Sequence, residues 1–437
     1  MATDHQNARS YLGALLSEAG EAEILRRLEP KIGDPSPRLA GATHNTPRAI
    51  DARHCAAGLT EEARASLLDA RTYEQRELYE RHIENFIGTV KLPVGLAGPL
   101  RVNGLFAQGD YYVPLATTEA ASYSRGAALI SEAGGCAAAL LNEGIRHAPG
   151  FAFRSIADAG RFVAWALDAR DTFASCAAST TRHGTLADMQ VTVEGNRVYL
   201  AFEFTTGDAA GQNMATLATD AICDFIEREC PVRPEYHFLE TNLSGDKKAS
   251  AQSFVNVRGR KVTAEARLPA DLVWRRLHTS ARRMADYWRM SAIGGVLSGT
   301  IGVQGHYANG LAALYIACGQ DAACVAESAV GVTRIEEADD GGLYAAVTLP
   351  NLIVGTVGGG TGLPSQRACL ESLGLAGPGK AHAFAELCAA VALAGELSII
   401  GALAAGQFAR AHRRLAHGRS GPRDGTQGAA GDEQTAP

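Results

Sequence analysis

Aromatic side chains are scarce in this 437-residue chain, at 6%, which disfavours the stacking platforms that single-stranded nucleic acids use. An excess of positive charge is missing as well. The 41 Lys and Arg against 47 Asp and Glu leave a formal net charge of -6, and no basic stripe offsets it, so nucleic-acid binding is excluded. The nine cysteines stand singly with no Cys-x-x-Cys pair, and neither a zinc ribbon nor a disulfide framework is indicated. No HExxH or comparable ligand set occurs, His412 and His417 being offset from a shared helical face, and no metal is expected. No Gly-x-Gly-x-x-Gly follows a strand, which leaves a Rossmann dinucleotide fold unsupported. The first residues, MATDHQNARS, hold no basic region before an apolar core, so no secretory leader is expected. No repeat of fixed period is present.

What the chain does have is apolar residues at 46%, enough for a large core, and a length that suggests two or three domains at about 150 residues each. Residues 389–408 have the length of a membrane span with one charge, Glu396. Their bulk is Ala and Gly, whose drive into lipid is weak, so a buried core helix is expected and the chain reads as cytoplasmic, off the membrane. The predicted class is α+β. Residues 1–58 read as an arm with one short helix at 11–28, and 60–71 and 73–86 as helices. A turn-rich link at 93–99 leads to a strand at 111–115, then an Ala-rich helix at 117–142. Ser155 caps a helix to 169, a hairpin spans 189–204 around Glu194-Gly-Asn196, and a helix covers 213–229. These form a compact α+β module at 149–239, inserted into a large helical domain made of 59–148 and 240–415. That domain has helices near 269–289, 306–318 and 380–415 and a strand near 342–349. The tail 416–437, with five Gly and two Pro, is expected to be disordered.

Gly374-Leu-Ala-Gly-Pro-Gly-Lys380-Ala381 imitates a phosphate-binding P-loop, but Ala381 replaces the hydroxyl that binds magnesium and Pro378 removes an amide. Four other segments hold the chemistry. Pro114-Leu-Ala-Thr-Thr-Glu119 sets a carboxylate at a strand-to-helix junction, where a helix-start acid is the plainer reading. Glu240-Thr-Asn-Leu-Ser-Gly-Asp246-Lys247-Lys248 fits a solvated charged turn. Asp321 lies among small apolar residues, is costly to bury alone, and finds a natural partner in Lys247. His412 ends the last helix and could simply cap it. Two glycine-rich elements complete the set. Thr206-Gly-Asp208-Ala-Ala-Gly-Gln-Asn213 opens a helix whose amides suit phosphate, and Gly355-Thr-Val-Gly358-Gly-Gly-Thr361 permits close approach of a ligand.

Together with Glu84-Asn-Phe-Ile-Gly88 and Ala392–Ala405, these motifs resemble, in order and spacing, the class I catalytic domain of 3-hydroxy-3-methylglutaryl-CoA reductase over residues 75–415. The resemblance implies a large helical domain with an inserted ferredoxin-like module and a homodimer or higher homo-oligomer sharing active sites. It also implies reduction of an acyl-CoA thioester to an alcohol in two hydride steps. The catalytic positions would be Glu119, Lys247, Asp321 and His412. Lys247 would stabilise the oxyanion, Asp321 would hold Lys247, Glu119 would donate a proton, and His412 would protonate the leaving thiolate.

The resemblance further implies a dinucleotide site of Thr181, Arg182, His183, Asp208, Ala209, Ala210, Gly211, Gln212, Asn213, Gly355, Val357 and Gly358. Arg182 favours NADPH, since a 2′-phosphate suits a guanidinium. Substrate contacts would be Ser122, Arg125, Arg146, His147, Asn242, Asp246, Lys248 and Asn309. Here the chain departs from the family. The segment after Glu119 is three residues short, which shortens a helix by ~4.5 Å and turns it by ~60°. His147 takes an arginine position, Glu240 a serine position and Met290 a lysine position, with Arg146 and Arg289 adjacent. Two other readings stay open: a reductase of a different acyl thioester, and a non-catalytic nucleotide-binding relative.

Overall fold

Residues 381–404 are almost all apolar and small, and they form a 24-residue helix, Ala381–Ala404, with nearly every side chain buried. The computed structural model describes residues 4–31, 39, 43–118, 123–256 and 258–406. By length and composition this helix could cross a membrane, but 83% of its most apolar window lies inside the fold. It is a core element, as its Ala and Gly content predicts.

Two compact units divide the chain, residues 1–90 and 91–437. In the first, short helices begin where the sequence supplies a cap: Thr46 for Pro47–Ala56, Thr60 for Glu61–Leu67 and Asp69 for Ala70–Glu74. The expected helix at 11–28 is two helices, His5–Ala19 and Glu21–Leu28, parted by Gly20 at φ +72°. The helix expected at 73–86 gives way to a 3-10 turn, Arg76–Tyr79.

Among the described residues the second unit contains ten strands: β1 (Val94–Gly104), β2 (Gln108–Ala116), β3 (Cys136–His147), β4 (Gly150–Ala152), β5 (Leu186–Glu194), β6 (Arg197–Phe204), β7 (Tyr236–Phe238), β8 (Gly259–Leu268), β9 (Val332–Glu337) and β10 (Leu343–Leu352). The fold is therefore α+β, with more strand in its larger part than the sequence suggests. β1 pairs antiparallel with β2 and parallel with β3, and β3 continues through β8 and β10 to β9. The far end of β3 pairs with β6, which also joins β4 and β5, and β4 joins β7. Residues 150–238 thus run strand, two helices, two strands, helix, strand, in the spatial order β7-β4-β6-β5. The few aromatic rings concentrate here, Phe162, Trp165, Phe173, Phe202 and Phe225 packing at centroid distances of 5.9–6.1 Å. The hairpin, the Ser155-capped helix Ile156–Asp168 and the helix Gln212–Glu229 all form where the sequence predicts them.

The largest departure is β3. Residues 136–142 are Ala- and Leu-rich and read as the end of a helix, yet that helix, Ser124–Glu132, stops before Gly134 and Gly135, which hold φ of +101° and +106°. Tertiary packing overrides helix propensity. Small side chains let the helix Ala381–Ala404 lie against this strand, and Glu386 on that helix accepts the Leu140 amide at 3.1 Å. The same buried carboxylate accepts the amides of Leu105, Phe106 and Ala107 at 3.2, 2.8 and 2.8 Å, closing the β1–β2 turn. One helical turn-set further along, Glu396 accepts the Gly305 and His306 amides at 2.7 and 2.8 Å and the Thr333 hydroxyl at 2.7 Å. The expected helix at 269–289 is two, Ala270–Leu277 and Ala281–Ser298, broken where His278 turns left-handed.

Helix Ser124–Glu132 crosses the long helix at Gly126, whose amide donates to Ser398 Oγ at 2.9 Å. A Cβ at Gly126 would stand 1.9 Å from the Ala394 carbonyl oxygen. Gly126→Ala is expected to destabilise the protein by about 1–3 kcal/mol through overpacking, read from the urea midpoint; an unchanged midpoint would show that the crossing can widen freely.

Candidate active site

Segment 319–324 follows helix Tyr307–Ala317 and turns at Gly319, φ +68°, because a side chain there would meet the Gly360 carbonyl at 2.3 Å. Three successive contacts fan out from it. Gln320 Oε1 accepts the Gly355 amide at 2.8 Å. Asp321 Oδ2 lies 2.9 Å from Lys247 Nζ. Cys324 Sγ accepts from Gln212 Nε2 at 2.9 Å. One short segment therefore joins the lysine turn, the glycine-rich run and the start of helix Gln212–Glu229.

Lys247 sits in a left-handed turn at φ +54°, just after Gly245 at φ +74°, a conformation that costs a non-glycine residue about 1 kcal/mol. Its ammonium and the Asp321 carboxylate are 40% and 42% exposed. The hydrogen bond to Asp321 holds the Lys247 pKa above the ordinary lysine range, against a smaller opposing effect of burial. For Asp321 burial pushes upward most strongly. The Lys247 ammonium and the Ala323 amide together outweigh it and keep the carboxyl below its usual value. Both groups are charged at neutral pH. Asp246 Oδ1 receives the Arg258 guanidinium at 2.6 Å, and Lys248 Nζ donates to the Asp246 carbonyl at 2.9 Å.

The cofactor candidates also converge. Gly355 packs on residues 208–210 so closely that a Cβ would lie 2.6 Å from the Ala210 nitrogen, and the Thr356 amide donates to the Asp208 carbonyl at 2.9 Å. Buried Arg260 donates to the carbonyls of both Gly207 and Val354. Gly211, at φ +85°, begins helix Gln212–Glu229 with no side-chain cap. The turn at 181–183 lies alongside, the His183 carbonyl 3.7 Å from where a Gly207 Cβ would be, with Arg182 and His183 exposed. Val357 is half-buried, while Asn213 and Gly358 are exposed. The Asp208 carboxylate is engaged already, accepting the Gly379 and Ala381 amides at 2.7 and 3.2 Å. The loop that imitates a P-loop is thus a docking loop for Asp208.

The substrate candidates are scattered by comparison. Buried Arg146 lies 3.3 Å from Glu203. His147 is buried too, with Nε2 3.1 Å from the Thr216 hydroxyl and Nδ1 3.4 Å from Glu240 Oε2; burial depresses its pKa despite Glu240, so the ring is neutral. Glu240 turns onto backbone, accepting the Thr241 and Asn242 amides at 2.9 and 2.7 Å. Asn242 is exposed beside the lysine turn, and Arg125 and Asn309 are exposed on the first turns of their helices. Glu119, Ser122 and His412 lie outside the described residues. A cavity of about 360 Å³ lies against helix Ala281–Ser298 and is lined by Met290 and Gln304 but by none of the catalytic or cofactor candidates among the described residues. Met290, Ile293, Val296 and Leu297 of that helix are all exposed.

Sequence reasoning missed Gln320, Arg258, Arg260 and Glu327. Gln320 is one residue from Asp321, and its adjacency is the signal that could have found it. The buried charges had little, because apart from Asp246, 12 residues before Arg258, their charged partners are 69 or more residues away or their contacts are to backbone.

Comparisons with known proteins agree with the motif order. The family model for hydroxymethylglutaryl-coenzyme A reductase matches residues 49–417. The chain is 41% identical over 346 residues to the 3-hydroxy-3-methylglutaryl-coenzyme A reductase of Methanocaldococcus jannaschii, spanning 77% of this chain and 85% of the relative. With that of Aeropyrum pernix it is 40% identical over 420 residues, spanning 94% and 93%. Among solved structures, the class II enzyme of that name from Streptococcus pneumoniae, bound to NADPH, shares the fold at a TM-score of 0.61 and 21% identity, covering 82% of this chain and 96% of that one.

Asp321→Asn is expected to lower the Lys247 pKa, measured by titrating its ε-methylene NMR signals. Since the folded value is raised, the pair's stabilising contribution is complete below the ordinary lysine pKa and fades as pH climbs through the folded one. A Lys247 titration unmoved by the substitution would show that Asp321 is not the cause.

Proposed function

Because the chain belongs to the hydroxymethylglutaryl-coenzyme A reductase family, we propose that it reduces 3-hydroxy-3-methylglutaryl-CoA to mevalonate and free CoA, an NADPH-dependent step of isoprenoid precursor synthesis. The observation that carries this reading is the Lys247–Asp321 ion pair at 2.9 Å, on a segment that also touches Gly355 and Gln212.

The residues fit a dinucleotide. Gly355 lets its run press directly onto the backbone of residues 208–210, the helix start after Gly211 has no side-chain cap, and exposed Arg182 stands beside it to meet a 2′-phosphate. Thr181, His183, Ala209, Ala210, Gln212, Asn213, Val357 and Gly358 would line the same cleft, with Asp208 bracing its loop. Bound NADPH supplies the hydride for each of the two reductions.

The chain's own groups would manage charge and protons. Lys247 stabilises the oxyanion that forms when the thioester, and later the aldehyde, is reduced, and it does so best where water is sparse. Asp321 orients that ammonium and keeps it protonated. Glu119, three residues after the end of β2, is the proposed proton donor to the developing alkoxide. His412 protonates the departing CoA thiolate, a transfer suited to an imidazole of pKa ~6.5 and a thiol of ~8.5. Asn242, Asp246, Lys248 and Asn309 are the proposed acyl contacts and Ser122 and Arg125 the CoA contacts, while Arg146 and His147 form the wall behind Glu240. A second reading, a different acyl thioester, draws support from the neutral His147 where an arginine is usual.

The motif order supports a class I-like assignment. Residues 149–239 are proposed as the inserted, ferredoxin-like dinucleotide domain, which the strand order β7-β4-β6-β5 and its alternation with helices favour. Residues 59–148 and 240–415 are then the catalytic domain, 1–58 an arm and 416–437 a disordered tail. The protein is proposed to be cytoplasmic and homo-oligomeric, a second copy covering the apolar row Met290, Ile293, Val296 and Leu297.

NADPH oxidation with a panel of acyl-CoA esters tests the assignment: turnover with the hydroxymethylglutaryl ester is expected, turnover only with another ester selects the second reading, and none with any leaves a non-catalytic relative. Lys247→Ala should slow both thioester and free-aldehyde reduction by about 100-fold or more; an undiminished aldehyde rate contradicts its role. Arg182→Ala should narrow the preference for NADPH over NADH by about 10-fold, and an unaltered ratio would move the 2′-phosphate site elsewhere.

A further inference from the structure

Beneath the lysine turn lies an ion pair that the reaction as described does not use. Arg258 is 3% exposed and Glu327 0%. The guanidinium grips Glu327 with Nη1 at 2.7 and 2.6 Å from the two carboxylate oxygens. Its Nη2 reaches Asp246 Oδ1 at 2.6 Å, and its Nε the Arg146 carbonyl at 3.4 Å. Glu327 Oε1 in turn accepts the backbone amide of Lys247 at 3.1 Å. Both residues on the lysine side of the turn, Asp246 by its side chain and Lys247 by its main chain, are therefore fastened to one buried pair.

The other end of the pair leads to Asp321. Glu327 is on the short helix Val325–Ser328, which continues directly from the 3-10 turn Ala322–Cys324 that Asp321 caps. That helix is itself pinned, Ser328 Oγ donating to the Asn351 carbonyl at 2.8 Å and accepting from the Tyr315 hydroxyl at 2.9 Å. Arg258 is anchored to the same residue, its amide donating to Asn351 Oδ1 at 3.0 Å. Stability alone does not account for such a pair, since apolar side chains of similar size commonly replace a buried ion pair without loss. Its geometry does have a use. A left-handed lysine two residues after a left-handed glycine has no intrinsic reason to hold one direction, and on the reductase reading Lys247 must meet Asp321 and a substrate oxygen at once.

We propose that Arg258 and Glu327 are positioning residues for the reduction: they fix the turn 245–248 relative to segment 321–327 so that the Lys247 ammonium is already aimed when substrate arrives. This rests on the reductase reading above, and neither residue touches the reacting atoms.

The test uses the full-length enzyme. In the double variant Arg258→Met/Glu327→Leu both charges leave together. The melting temperature is expected to stay near that of the unaltered protein and KM for NADPH within about 2-fold, while kcat falls about 30-fold or more. A folded double variant with undiminished kcat overturns the proposal. Should that variant fail to fold, Glu327→Gln keeps shape and an acceptor oxygen but not the charge; kcat is then expected to fall about 10-fold at unchanged melting temperature, and an unaltered kcat again overturns it. A substrate-free arm separates this idea from the reductase reading. Relaxation of the Lys247 ε-carbon in the variant that folds should become that of a surface lysine, and a Lys247 as ordered as in the unaltered protein counts against positioning even if no acyl-CoA is turned over.

Discussion

Two carboxylates inside an apolar helix set the terms for the rest of the second unit. Glu386 and Glu396 are fully buried on helix Ala381–Ala404, and burying a carboxylate costs several kcal/mol unless it is well bonded. Each is bonded by backbone: Glu386 by four amides from the β1–β2 turn and β3, Glu396 by two amides ahead of helix Tyr307–Ala317 and by Thr333. Hydrogen bonds to a charged group contribute roughly 1.5–3 kcal/mol each, enough to offset the burial. The helix thereby dictates where two loops and a strand must lie. The same arrangement explains why a segment with the length and hydropathy of a membrane span is instead the centre of a folded core.

How much of this was legible depends on the range of the interaction. Local chemistry was readable: Ser155 starts a helix, Glu194-Gly-Asn196 turns a hairpin, Asp321 finds Lys247. Strands β1, β3, β4, β7, β8 and β9 were not read. β8 and β9 do alternate, with Val262, Ala264, Ala266 and Leu268 buried on one and Thr333 and Ile335 on the other, but their charged outward residues resemble helix surfaces. β3 could not be read locally at all, because its alanines are chosen by a helix about 250 residues downstream. Within the candidate site, residue types were informative, but of the pairings only Lys247 with Asp321 was legible. Glu240, which looks like a misplaced anion in sequence, turns out to bond its own backbone.

The electrostatics of the site fall into two layers of different character. The outer pair, Lys247 and Asp321, is about two-fifths exposed, so solvent tempers its strength and leaves it free to exchange partners. The inner pair, Arg258 and Glu327, is buried, one guanidinium nitrogen meeting both carboxylate oxygens and the other reaching Asp246, and such charge-assisted bonds are strong. A responsive charge mounted on an unresponsive one would suit the oxyanion-stabilising role proposed for Lys247.

The bond from Asp208 to the amides ahead of the long helix has a consequence for selectivity among anions. Two helix starts lie in this neighbourhood, and each would attract a polyanion. One is already neutralised from within by the Asp208 carboxylate, while the other, after Gly211, has no side-chain cap. The chain thereby acts as its own competitor at one berth, which would leave a pyrophosphate in the proposed dinucleotide site a single polarity in which to moor.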